Sequence, residues 1–114
     1  MTIYNKTLKE PWFTLIKLGL KTVEGRLYKN EFADMKKRDI IIFENNDFNK
    51  RKIKVKITKI IKYNTFQEYL EEEKLENCLP GFDSIKDGVD VYYKYYSKED
   101  EIKYKVIAIR MKII

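Results

Sequence analysis

Within six residues, Lys21-Thr-Val-Glu-Gly-Arg26, the chain gathers an ammonium, a carboxylate and a guanidinium, with a glycine between the last two. Such a set suits an anion or the polar edge of a base: cations for phosphate or carbonyl oxygen, a carboxylate for N–H donors. It also holds the parts of a hydrolytic site, if the carboxylate orients a water. Lys21 follows a helix-like segment, where the negative end of the helix dipole and the nearby Glu24 both favour its charged form. A lysine nucleophile needs the opposite, a pKa lowered by burial or by a cationic neighbour. The residue types therefore point to Lys21 as a contact for phosphate or carbonyl oxygen and to Glu24 as the reader of a base edge. Arg26 then orients Glu24 or touches phosphate. The competing reading is a structural salt bridge between Glu24 and Arg26 on one face of a strand.

Strand geometry sets a condition on any such site. Alternation puts Glu24 and Arg26 on one face and Lys21 on the other. Convergence of all three requires Lys21 to lie in the preceding turn, or the strand to be irregular. Gly25 is the natural place for a bulge or a close backbone approach.

The elements that must position this motif are read from periodicity. Thr2 to Leu8 reads as a first strand. Pro11 fits the first position of a helix, in which Trp12, Leu15 and Ile16 share a face, Trp12 packs in the core and Gly19 suits the stop. Leu20 to Tyr28 is the strand that bears the motif. Asp39-Ile-Ile-Ile-Phe43 predicts a strand buried on both faces, followed by turn chemistry at Glu44 to Asp47. From Lys50 to Ile61, Ile53, Val55 and Ile57 face inward while Lys52, Lys54 and Lys56 face water. The slip in that alternation at Thr58-Lys59-Ile60 predicts a bulge or bend. The lysine ladder has two readings. One is a solvated face that, on an edge strand, discourages aggregation; the other is a row of cations ~6.7 Å apart, close to the phosphate spacing of an extended nucleic acid strand.

Thr65-x-x-Glu68 and Ser84-x-x-Asp87 open two helices. Phe66, Tyr69 and Leu70 make the apolar side of the first, and Ile85, Val89, Tyr92 and Tyr96 recur along the second, with Gly88 implying close packing. Tyr92, Tyr93, Tyr95 and Tyr96 cannot all face the core from one helix. At least one is expected at the surface or in a cleft, able to stack on a base or to meet a protein partner. Lys98-Glu-Asp-Glu101 predicts a loop or turn, and Tyr104 to Met111 a closing strand at the centre of a sheet. Five to six strands with about three short helices in this order exclude a doubly wound parallel sheet. They predict an α+β fold, a small mixed, mostly antiparallel β-barrel.

With 114 residues, 44% hydrophobic, the chain is long enough for one core, so a single domain over residues 1–114 is expected. Cys78 stands alone and histidine is absent, which excludes a disulfide framework, the usual Cys/His zinc site and any imidazole-based triad. No metal and no cofactor is expected. No apolar run reaches the ~18 residues that a membrane span needs, and the first residues have no signal-peptide pattern. The expected state is a soluble monomer, cytosolic or nuclear, with the cytoplasm preferred. The net charge of +6 favours anionic partners, nucleic acid first; an A/T-rich coding sequence is the other source of so many lysines.

The string Trp12-Phe-Thr-Leu-Ile-Lys-Leu-Gly-Leu-Lys-Thr-Val-Glu-Gly-Arg26 closely resembles the motif of the ASCH family, the activating-signal-cointegrator homology domain. Asp39-Ile-Ile-Ile-Phe43 is similar to that family's third strand. Leu75 to Gly81, Ser84 to Gly88 and Tyr92 to Ser97 resemble the helical insertion of a bacterial-type branch, and Val106 to Arg110 its closing strand. The resemblance implies a PUA-like barrel that binds RNA, a nucleotide or a modified nucleoside in a cleft beneath the lysine-bearing turn. It also brings Lys9, Tyr96 and Ser97 to that cleft beside Lys21, Glu24 and Arg26. Some bacterial members are amidohydrolases acting on acetylated cytidine, and a ribonuclease is reported in another branch. The amidohydrolase set is a lysine, a threonine three residues later and a glutamate further on. Lys21 matches the lysine, so as an enzyme the chain would use Lys21 and Glu24 as its catalytic residues. Position 24, however, is Glu24 and not threonine, and the second acid falls among Glu71 to Glu76, where no motif selects one.

Overall fold

The computed structural model describes residues 1–114. Five strands form one curled sheet in the order β1 (Ile3–Thr7), β3 (Ile40–Asn45), β4 (Arg51–Tyr63), β5 (Val106–Ile113), β2 (Val23–Leu27). Only β1 and β3 run parallel; the other three pairings are antiparallel. The mostly antiparallel barrel expected from the sequence is thus a half-barrel, with β1 and β2 as its two unpaired ends.

Six helical segments replace the three expected: α1 (Trp12–Lys17), α2 (Glu31–Asp34), α3 (Phe66–Glu73), α4 (Leu75–Cys78), α5 (Ile85–Tyr93) and α6 (Lys98–Tyr104). Two of the additions are single turns of four residues, too short to print a 3.6-residue period. The third, α6, overturns the loop or turn expected at Lys98–Glu101. Ser97 accepts from the Asp100 N–H, and acids fill the first turn, where the helix dipole favours them.

The sheet separates two cores. On one face Ile41, Phe43, Ile53, Val55, Ile57, Ile107 and Ile109 meet Phe13 and Ile16 of α1. On the other, Val23, Leu27, Val106 and Ala108 meet Phe66, Tyr69 and Leu70 of α3 and Tyr92 of α5. β5 therefore feeds both cores from alternate residues, which is why it reads as apolar throughout and lies inside the sheet.

The register between β4 and β5 shifts between Ile57 and Lys59, at the expected slip in alternation. The extra residue keeps Ile60 on the same core as Ile57 while Ile61 and Tyr63 turn to the other. β4 is a central strand, so its lysines do not guard an edge as one reading had it. Pro11 stands at the N-cap of α1 and not one residue inside it. The orphan N–H of Thr14 is met instead by the Glu10 carboxylate, at 2.9 Å.

Candidate functional site

The C-terminal end of α1 decides where Lys21 lies. Gly19, at φ +78°, takes the left-handed turn that a side chain resists. Its N–H donates to the Ile16 carbonyl while the Leu20 N–H donates to Leu15, the paired bonds that close a helix end. The Lys21 N–H also donates to Leu15, and the Thr22 N–H reaches across to the Asn77 carbonyl in α4. Lys21 is thereby held in the turn ahead of β2, so strand alternation does not apply to it. This is the first of the two ways by which the three charged groups were required to meet.

They do meet. Lys21 Nζ lies 3.3 Å from Glu24 Oε1, and Arg26 Nε and Nη2 donate to Glu24 Oε2 at 3.1 and 3.0 Å. Lys21 also donates to the carbonyls of Val23 at 2.7 Å and Cys78 at 2.6 Å. An ammonium has three donors, and all three are engaged; the side chain is 1% exposed. Burial alone would raise the Glu24 pKa, but the charges of Lys21 and Arg26 outweigh it and hold the carboxyl below its ordinary value. Glu24 is thus an ionised, acceptor-only group with unused lone-pair capacity on Oε1. Arg26 lies beside the Tyr96 hydroxyl and 5.0 Å from the Phe32 ring centre, and two of its five N–H donors serve Glu24.

Gly25 does not bulge: the β2–β5 register runs unbroken through it. A Cβ there would meet the buried Tyr69 ring at 2.5 Å. Glycine is required by this close approach, which lets α3 pack down on β2. Gly88 serves the same end in α5, where a Cβ would stand 2.9 Å from Leu70.

Glu24 and Arg26 look into a cavity of about 250 Å³. One wall comes from the end of β1, with Thr7, Leu8 and Lys9, and the other from β2, so the cavity occupies the seam between the two unpaired ends of the sheet. Trp12, Tyr92, Tyr95 and Tyr96 line it as well. Lys9, Lys21, Glu24, Arg26 and Tyr96 are therefore brought together. Ser97 is not; its side chain is spent on capping α6.

Trp12, expected in the core, packs against both cores and, half-buried, also lines the cavity, 6.1 Å from Phe82 and 5.9 Å from Lys21 Nζ. Its neighbours at helical spacing gave no hint of the cavity, because the seam beside α1 is a property of the sheet. Of the tyrosines, Tyr92 is buried with its hydroxyl 3.1 Å from that of Tyr69, while Tyr95 is 59% exposed at the rim.

None of the acids from Glu71 to Glu76 lines this cavity. Glu73 is buried elsewhere, bonded by Arg110 Nε at 2.7 Å and by the Tyr63 hydroxyl, and fastens α3 to β4 and β5. Burial would raise its pKa, but the bonds from Arg110 and Tyr63 prevail and lower it.

The family model of the ASCH domain matches residues 7–114. The chain belongs to the ASCH domain family. Its sheet and helices match the ASCH/PUA-like fold. This ASCH domain is similar over 99% of its length to the whole of the hypothetical protein PH0355, known from a crystal structure, at 43% identity and a TM-score of 0.90. The solution structure of protein PF0455 from Pyrococcus furiosus is 41% identical, with 99% of this chain and 98% of that one covered and a TM-score of 0.81. An ASCH domain crystal structure from Lactobacillus crispatus covers 98% of this chain and 79% of that one with a TM-score of 0.64; at 14% identity it speaks for the fold alone. No curated protein matches the chain. ASCH domains are associated in general with RNA binding, and no helix of this one is long and apolar enough to cross a membrane.

Proposed function

We propose that this ASCH domain takes one base of an RNA segment, or a free nucleotide or modified nucleoside, into the cavity between β1 and β2. The observation that carries the reading is the ionised Glu24 carboxylate set in an aromatic-walled cavity with Lys9 and Arg26 beside it. An acceptor-only group selects N–H donors, such as an exocyclic amine or a ring N–H. The aromatic walls suit a flat base, for which stacking contributes about 1–3 kcal/mol. Drug-sized ligands fill roughly 300–1,000 Å³; the smaller space here favours a single base or nucleoside. Phosphate contact passes from Lys21, whose donors are engaged, to Arg26 and Lys9.

The alternative, hydrolysis of an acylated nucleoside or of RNA, has less support. Position 24 carries no hydroxyl, its carboxylate is a weak base because its pKa is lowered, and no second acid lines the cavity.

Trp12 is the only tryptophan and reports on the cavity directly. Titration of its emission with the four ribonucleoside monophosphates and a short single-stranded RNA is expected to saturate. Tyr95→Ala weakens binding by roughly 5- to 100-fold through lost stacking, and Glu24→Gln alters the order of preference among the bases. If no ligand saturates the emission change, or if neither variant alters affinity, the reading fails.

A further inference from the structure

The seam lies between the two end strands; the outer face of β4 and β5 carries a charge pattern that it does not explain. Beyond the area that α3 and α5 cover, the outward residues of β4 and β5 include Lys52, Lys54, Lys56, Lys59 and Lys112, all exposed except Lys56, which is half-exposed. The register sets Lys56 directly opposite Lys112, and Lys59 opposite Arg110. Like charges so placed destabilise a sheet; Glu73 offsets Arg110, whereas no ion pair offsets Lys56 and Lys112. Among the remaining lysines only Lys6, Lys21 and Lys50 form ion pairs, with Glu31, Glu24 and Glu44. None of the five lysines on this face forms an ion pair. Successive outward positions along β4 are ~6.7 Å apart, near the spacing of phosphates on an extended strand.

A second observation points the same way. Phe48, in the turn between β3 and β4, is 90% exposed, the most exposed large hydrophobic residue of the chain. It leads directly into the strand that carries the row of lysines. Cations that track a backbone beside an unburied aromatic ring are what a single strand of nucleic acid requires: charge for its phosphates and a platform for one unstacked base. Duplexes bury their bases and have no use for the ring.

We propose that the outer face of β4 and β5, with Phe48 at its end, is a second nucleic-acid surface that binds a single strand. It is built from the middle of the sheet and shares no residue with the cavity between β1 and β2. The assignment goes beyond the base-binding role proposed for that cavity and does not depend on it.

The test uses the full chain and a labelled twelve-nucleotide single strand, as RNA and as DNA, followed by fluorescence anisotropy across a salt series. A matching duplex and heparin serve as competitors. The triple variant Lys52→Gln, Lys54→Gln, Lys112→Gln alters only exposed side chains, and circular dichroism verifies its fold. Each phosphate contact contributes about 0.7 to the slope of log affinity against log salt, so the triple variant is expected to lower that slope by roughly 2. Phe48→Ala should weaken the single strand by roughly 5- to 100-fold and leave heparin binding unchanged. Both variants should keep the wild-type response of Trp12 to mononucleotides, so that failure here and failure of the cavity reading remain distinct. RNA bound more tightly than DNA assigns the occupant as RNA; equal binding assigns single strands of either kind. An unchanged salt slope in the triple variant, tighter binding of the duplex, or indifference of the single strand to Phe48→Ala overturns the proposal.

Discussion

Lys21 is buried to within a few per cent, and each of its donors is matched to an acceptor. That makes it a fastening as much as a charge: it joins the start of β2, the end of α4 and the Glu24 carboxylate. Removing one partner of a buried ion pair typically costs about 3–5 kcal/mol, because the other charge is left unpaired. Lys21→Met is accordingly expected to lower stability by that amount in urea denaturation. The double variant with Glu24→Gln should be less destabilised than the sum of the two single changes, since the stranded charge is gone. Full stability of Lys21→Met, with binding lost, would instead restore the lysine to the role of ligand contact. The triad was legible in the sequence because its members sit within six residues. The engagement of Lys21 was not, since its partners include the carbonyl of Cys78, 57 residues away. Hydrogen bonds to backbone oxygen leave no trace in residue type.

At the scale of elements, Gly25 governs how α3 seats on the sheet. Its missing Cβ is the space occupied by the Tyr69 ring, which is fully buried and cannot swing aside. Gly25→Ala is expected to cost about 1–3 kcal/mol through overpacking. A second change, Tyr69→Leu, should recover part of that loss when combined with Gly25→Ala, although alone it is destabilising; thermal denaturation of the four proteins checks both statements. The strand itself was readable from charge and alternation, and so were the helices opened by Thr65 and Ser84, whose caps form as expected. What escaped were the single-turn helices and α6, whose dense charge masked a cap and one buried acid. That acid, Glu101, accepts from the Phe66 N–H at 2.8 Å and from the Tyr93 hydroxyl at 2.6 Å. Trp12 packs against both cores as expected, but its place in the cavity wall escaped for a related reason: periodicity tells which face of a helix is apolar, but not whether that face also meets a seam.

Across the whole molecule, carboxylates are anchored at well-separated places: Glu10 by Thr14 and Arg51, Glu24 by Lys21 and Arg26, Glu73 by Arg110 and Tyr63. Each has its pKa lowered from the ordinary 4.5. A group that ionises more readily when folded contributes stability above its unfolded pKa and loses it as pH falls through the folded value. The urea midpoint should therefore be level from neutral pH down to the ordinary carboxylate range and decline below it. Glu73→Gln should make that decline shallower; an acid limb as steep as in the wild type would remove Glu73 from the account. The half-barrel adds a consequence of a different kind. Its two ends, β1 and β2, share no backbone hydrogen bonds, yet both contribute walls to one cavity. Whatever occupies that space works as a clasp on an open ring. Its binding energy stabilises the native state by mass action. Amide hydrogen exchange should register this most at the outermost strands, where closing the ring restrains fraying, and least at β4 and β5 inside the sheet.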